Sequence, residues 1–237
     1  MIKNILFDLD GTLLPMDQDI FIKLYLKSMY DNFSHLYKDV YELSQDIFKS
    51  TYLMTMNDGS KTNEEVFWDF FKSIHKDTAE EVFSKYKEYY DGDFILAKNA
   101  TSTSPYSNLI IKELKSKGYN VILATNPLFP RIATLNRIKW AGLDPNDFTL
   151  ITTYENSSYC KPNLKYYEEI INKLNLNKDE CLMIGNDTSE DYVVTELGIP
   201  CIILKDCLIN KKNLDIDFMT LEDLYKAVKN YPSLINK

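Results

Sequence analysis

The chain has little of what marks several common chemistries. It holds only seven glycines among 237 residues, and no G-x-G occurs, so the fingerprint of a dinucleotide-dependent oxidoreductase is missing. With only His35 and His75 present, a poly-histidine zinc site is excluded. Cys160, Cys181, Cys201 and Cys207 show no C-x-x-C spacing, and three of them sit in or beside apolar runs. They read as reduced packing thiols of a cytoplasmic protein. No apolar stretch approaches the roughly 18 residues of a membrane helix, and the opening MIKNILFDLDG has too short an apolar run for a secretory signal. Positive charge is scarce: 27 Lys and Arg face 35 Asp and Glu, a net −8. That balance argues against nucleic acid or an anionic membrane as the main partner. A small anionic substrate stays open, provided a cation mediates.

Hydrophobic residues make up 45% and charged residues 26%, the composition of a soluble globular chain long enough to bury a sizeable core. Five apolar runs predict buried parallel strands, at 2–9, 120–125, 148–153, 181–185 and 200–205. They are continuous rather than alternating, as strands covered on both faces should be. After residue 105 they alternate with helical patterns: SNLIIKELKSKG, PRIATLNRIKWAG, NLKYYEEIINKLN and EDYVVTELG. The expected fold is a doubly wound, Rossmann-like α/β sheet.

Residues 16 to about 90 depart from this rhythm. IFIKLYLKSMYDNF, VYELSQDIFKSTYLMTM, EEVFWDFFKSIH and EEVFSKYKEYY carry helical periodicity dense in Tyr and Phe. Capping boxes are expected at Thr62 with Glu65 and at Thr78 with Glu81. Residues 16–103 therefore read as an all-α cap inserted into a core built from 1–15 and 104–237. The aromatic stripes are expected to pack that insert rather than to stack on a ligand. Hinges are expected near Leu14–Asp17 and Asn99–Pro105, with the insert acting as a lid.

The polar residues at the strand ends carry the chemistry. The first run ends at Asp8 and Asp10, and the second at Thr125 and Asn126. Lys161 follows the third, just before a proline-started helix, and Asp187 and Asp191 follow the fourth. Open parallel sheets bind ligands beyond the carboxyl ends of their strands, so these groups should converge. Taken singly each has a plainer reading. D-x-D can be a turn pair, Thr125 a strand-end hydroxyl, Lys161 a solvated lysine, and Asp187 and Asp191 helix caps. Their order at successive strand ends favours a phosphoryl site. Asp8 and Asp187 offer hard oxygens suited to Mg²⁺, which would offset their repulsion and let a negatively charged chain hold a phosphoester. A carboxylate can attack phosphorus, and Asp10 stands where it could protonate the leaving group and then activate water. Thr125 and Lys161 suit the phosphoryl oxygens.

The combination of ILFDLDGTLL, VILATN, Lys161 in YCKPN, and MIGNDTSED resembles the haloacid dehalogenase superfamily of phosphohydrolases, with a helical insert where that family places its type-1 cap. The resemblance implies Asp8 as nucleophile, Asp10 as general acid and base, and Thr125 and Lys161 as phosphoryl ligands, with Leu9 and Asn126 beside the substrate. It implies Mg²⁺ on Asp8, the main-chain carbonyl of Asp10, and Asp187, with Thr12, Asn186 and Asp191 in support. The commoner fourth motif has Gly-Asp with a second Asp four residues later. Here Asn186 follows Gly185 and the acidic pair is Asp187 and Asp191, so Asn186 could instead face the ion through water. Asp10 favours hydrolysis of a small phosphorylated metabolite, since an oxygen leaving group needs a proton. A phosphomutase of the same fold and a non-catalytic phosphate-binding module are the alternatives. DGSKTNEE is only faintly similar to a P-loop and reads as a turn before a capped helix.

Overall fold

The computed structural model describes residues 1–76 and 78–235. Its sheet has five short parallel strands, β1 (Asn4–Phe7), β2 (Asn120–Leu123), β3 (Cys181–Gly185), β4 (Cys201–Leu204) and β5 (Phe218–Met219), in the order β2-β1-β3-β4-β5. Leu6 in the central strand pairs with Ile122 on one side and Met183 on the other. Between β1 and β2 the chain forms α1 (Gln18–Phe33), α2 (Val40–Thr55), α3 (Asn63–Ile74), α4 (Ala79–Asp91), a 3₁₀ stretch (Asp93–Ala100) and α5 (Pro105–Ser116). Later come α6 (Arg131–Trp140), α7 (Leu164–Leu174) and α8 (Leu221–Lys229).

Strand side chains alternate between faces, and here both faces are covered. Ile5 and Phe7 join a core with Ile110 and Leu114 of α5 and Leu224 of α8, while Leu6 and Met183 join Tyr166, Tyr167 and Ile170 of α7 on the other side. Continuous apolar strands are the consequence. The insert packs through its rings, among them Phe21, Tyr25, Phe33, Phe71 and Phe94, all buried. Where the chain leaves and re-enters the sheet the two connections run side by side: Asp17 N donates to Ala100 O (3.0 Å) and Ser102 N to Pro15 O (2.9 Å). All four cysteines carry free thiols, and no helix among the described residues is long and apolar enough to cross a membrane.

Three local expectations are corrected. The segment 148–153 is not a strand. Thr149 N and Thr152 N bond to Val121 O and Leu123 O, but only Ile151 makes a bridge, to Leu123. Thr152 Oγ1 donates to the Thr125 carbonyl at 2.6 Å, a side-chain bond that competes with regular pairing on an edge. Residues 192–197 form a 3₁₀ stretch rather than an α-helix, as suits a short segment rich in β-branched residues. Thr62 and Glu65 form the reciprocal capping box, but Thr78 has an αR backbone and makes no cap bond. The two-residue β5 carried no sequence signal at all.

Candidate active site

Asp8 follows β1 directly, and its N–H still donates to Ile184 O at 2.9 Å, continuing the sheet pairing. The turn after it closes through Gly11, at φ +85°, where a β-carbon would be strained and would collide with the Asn186 amide. Gly185 similarly leaves room for the Asp191 carboxylate. Glycine at these two positions lets the first and fourth motifs close on each other.

Lys161 is 1% exposed and bridges two carboxylates, with Nζ 2.8 Å from Asp8 Oδ1 and 2.6 Å from Asp191 Oδ1. Burial pulls its ammonium down, yet Asp191 and Asp8 outweigh that and hold its pKa well above the ordinary value. The other Asp191 oxygen accepts from Asn186 N and Asp187 N, each at 3.0 Å. Asp191 thus fixes the lysine and the fourth-motif turn together. The Thr12 hydroxyl lies 3.2 Å from Asp8 Oδ2 and 3.0 Å from Asn186 Oδ1. Its single proton serves only one of these acceptors, so two acceptor oxygens stand side by side with one left wanting a positive partner.

Asp8, Asp10, Thr125 and Asn126 line one cleft of about 200 Å³ with Asn186, Asp187, Glu190 and Asp191. Thr125 is buried, and its carbonyl is held by Thr152 Oγ1 and Tyr166 Oη at 2.6 and 2.9 Å. Asn126 accepts from Lys161 N (3.2 Å) and donates to Glu190 Oε2 (3.0 Å). One expected member stands apart. The Leu9 side chain is wholly buried in the core, which leaves only its main chain near the cleft. Asp187 lines the cleft, but its Oδ1 caps the following turn, accepting from Ser189 N (2.6 Å) and Glu190 N (3.1 Å).

Burial pushes the Asp8 carboxyl up to about 7, with Asp191 and Asp10 adding repulsion and Lys161 opposing. Glu190, also mainly through burial, is pushed up to about 7. A cleft holding five carboxyl groups against one buried lysine and one arginine repels a phosphoester unless a cation joins them. Among the described residues no three His, Cys, Asp or Glu side chains are grouped to hold a metal by themselves. An ion would rest on few carboxylates, supplemented by amide or main-chain oxygens and water. That all-oxygen, partly hydrated donor set fits Mg²⁺.

The arginine is the residue sequence reasoning missed. Arg137 of α6 is 1% exposed and pairs with Asp10 Oδ2. It also donates to Thr134 Oγ1 at 3.2 Å and stacks 4.5 Å from the Phe129 ring. The signal was a charge on a buried stripe, since Ala133, Arg137 and Ala141 recur at helical spacing. Burial raises the Asp10 carboxyl, while Arg137 and Lys161 pull it down. Its other oxygen, Oδ1, is buried without a hydrogen-bond partner. Glu190 was also overlooked, hidden inside the motif whose aspartates drew attention.

Arg137→Met keeps the apolar stem and strands Asp10. It should destabilise the protein by roughly 3 kcal/mol near about pH 8. The native Asp10 pKa then climbs further above its unfolded value, so the native state binds more protons and stability falls as pH rises through that window. Denaturant melts of both proteins at two pH values check this: the gap between them should shrink toward about pH 5, and a constant gap contradicts it.

The family model for haloacid dehalogenase-like hydrolases matches residues 2–192. A pyrophosphatase, PpaX, from Halalkalibacterium halodurans is 25% identical over 194 residues, covering 81% of this chain and 78% of that protein. A HAD phosphatase from Thermococcus onnurineus superposes with a TM-score of 0.63 at 22% identity, covering 98% of this chain and all of its own. The putative HAD-hydrolase YfnB from Bacillus subtilis, described bound to magnesium and as revealing interdomain movement, gives 0.55 at 17% identity, covering 96% and 98%.

Proposed function

Because the chain belongs to the haloacid dehalogenase-like hydrolase family, we propose that it hydrolyses a small phosphate monoester with Mg²⁺ bound, by passing the phosphoryl group through Asp8. One observation carries the reading. Asp8 is clamped by Lys161 and Thr12 in the same cleft as Asp10, whose free oxygen has no protein partner. Asp8 attacks phosphorus while the ester P–O bond breaks, and Asp10 gives its proton to the departing oxygen. Asp10 then takes a proton from the water that cleaves the aspartyl phosphate, restoring both carboxyl groups. Lys161 keeps Asp8 oriented, and Thr125 bounds the cleft where phosphoryl oxygens would sit.

The residues that would hold Mg²⁺ are Asp8, the main-chain carbonyl of Asp10, and Asn186 through Oδ1, with Asp187 adding charge beside them. Bound there, the ion supplies neutralisation of the phosphoryl oxygens. We place Asn186 ahead of Asp187 as the ligand because Thr12 links it to Asp8, whereas one Asp187 oxygen, Oδ1, caps the following turn. Residues 16–103 act as the cap over the strand ends, and the paired connections at Asp17–Ala100 and Pro15–Ser102 support a hinge there.

Phosphate release from an aryl ester, titrated with Mg²⁺, tests the reading. Asn186→Ala should raise the half-saturating Mg²⁺ at least about tenfold, and Asp187→Asn should raise it less. The reverse order returns the ligand role to Asp187, and metal-independent release contradicts the proposal.

A further inference from the structure

A second, partly open cavity of about 180 Å³ lies between the helical insert and the 128–130 segment, with walls that include Tyr25, Met29, Trp68, Phe71, Val82 and Tyr90. Ile22, Leu128 and Phe129 line both this cavity and the acidic cleft, so the two abut at these three side chains. The polar atoms of the wall are turned toward each other: Tyr25 Oη lies 3.1 Å from Tyr90 Oη, and Trp68 Nε1 donates to Tyr154 Oη at 3.3 Å. What remains facing inward is mostly carbon and ring surface. Phe129 stands at the junction, its ring 5.3 Å from that of Tyr25 and 4.5 Å from the Arg137 guanidinium that holds Asp10.

We propose that this cavity receives the leaving group of the substrate, and that this group is apolar, an aryl or compact branched-alkyl alcohol rather than a sugar or nucleoside. The inference rests on the phosphohydrolase reading above. Apolar cavities of about 150 Å³ stay dry and take up benzene-sized ligands, so the space matches one ring. A polyol placed there would lose its water hydrogen bonds to a wall that is predominantly apolar. The phosphoryl group would lie at Asp8, the ester oxygen near Asp10 at the Phe129 junction, and the hydrocarbon beyond it. On cleavage the ester P–O bond breaks, the Asp8–phosphorus bond forms, and the proton from Asp10 completes the phenol or alcohol.

The test compares kcat/KM of the full chain with Mg²⁺ for phenyl phosphate, glucose 6-phosphate and pyrophosphate. Phenyl phosphate should exceed glucose 6-phosphate by at least about 100-fold. Val82→Phe, which fills the cavity, should raise KM for phenyl phosphate at least about tenfold more than for pyrophosphate. The unaltered protein gives an independent reading through two non-hydrolysable anions: phenylphosphonate should inhibit or thermally protect it at lower concentration than methylphosphonate. Equal potency of the two phosphonates, or better turnover of glucose 6-phosphate or pyrophosphate, overturns the apolar assignment while leaving a phosphohydrolase in place. Absence of turnover on every ester overturns the phosphohydrolase reading instead, and the phosphonate pair still decides what the cavity accepts.

Discussion

Asp8→Asn should lower phosphate release by at least about 10⁴-fold while leaving the melting temperature unchanged or higher in metal-free buffer. Loss of activity follows from losing the attacking oxygen. The stability result comes from the environment of the carboxylate. Asp8 is 7% exposed, and burial lifts its pKa from 3.8 to about 7 with further repulsion from Asp191 and Asp10. The folded state therefore binds more protons than the unfolded one across that interval, and wild-type stability falls as pH rises through it. Asparagine removes the charge, keeps its one oxygen for Lys161 and turns its NH₂ toward the Thr12 hydroxyl, which can accept. Its advantage should grow with pH between those values, and Mg²⁺ should stabilise the wild type more than the variant by mass action. A substantially lower melting temperature for the variant would show that Asp8 is a structural ion-pair partner first.

Lys161→Met should do the opposite to the fold. The thioether fills the space of the stem, but Asp8 and Asp191 are left buried without their shared cation. Removing one member of a buried ionic cluster costs roughly 3–5 kcal/mol, which in a chain of this size is a fall of about 10 °C in melting temperature. Hydrolysis should fall with it, since Asp8 loses the group that orients and ionises it. Lowering the pH protonates the stranded Asp8, whose carboxyl burial already lifts to about 7, so the penalty should shrink in acid. An exposed pair provides the contrast. Lys27 and Asp31 sit 2.7 Å apart with both side chains more than half exposed, and Lys27→Met should cost under about 1 kcal/mol. If Lys161→Met melted like Lys27→Met, the buried network would carry none of the weight given to it.

Much of this was legible because the apolar runs are short, continuous and separated by helical periods. That pattern is what strands covered on both faces require, and it located β1, β2, β3 and β4 together with the acidic strand ends. Legibility failed where the deciding contact is distant in sequence. The segment at 148–153 has the composition of a strand, but its threonines bond to nearby carbonyls and it lies at an edge. Arg137 looks like one more surface charge on a helix until α6 is seen to press it against Asp10, 127 residues away. The choice between Asn186 and Asp187 depends on which side chain Thr12 reaches, and no spacing rule reports that. Aromatic stripes in the insert were readable as packing, and most of them do pack. That they also leave a cavity beside the cleft is a matter of shape, and shape is not written in periodicity.

The central claim is that Asp8 carries the phosphoryl group. Acid quenching during turnover of an aryl phosphate, followed by peptide mass spectrometry, reads this directly. The account predicts a phosphorylated aspartate in the peptide containing Ile5–Leu14, at Asp8 and absent from Asp8→Asn. Steady turnover with no modified Asp8 in the wild type, or undiminished turnover in Asp8→Asn, would contradict it.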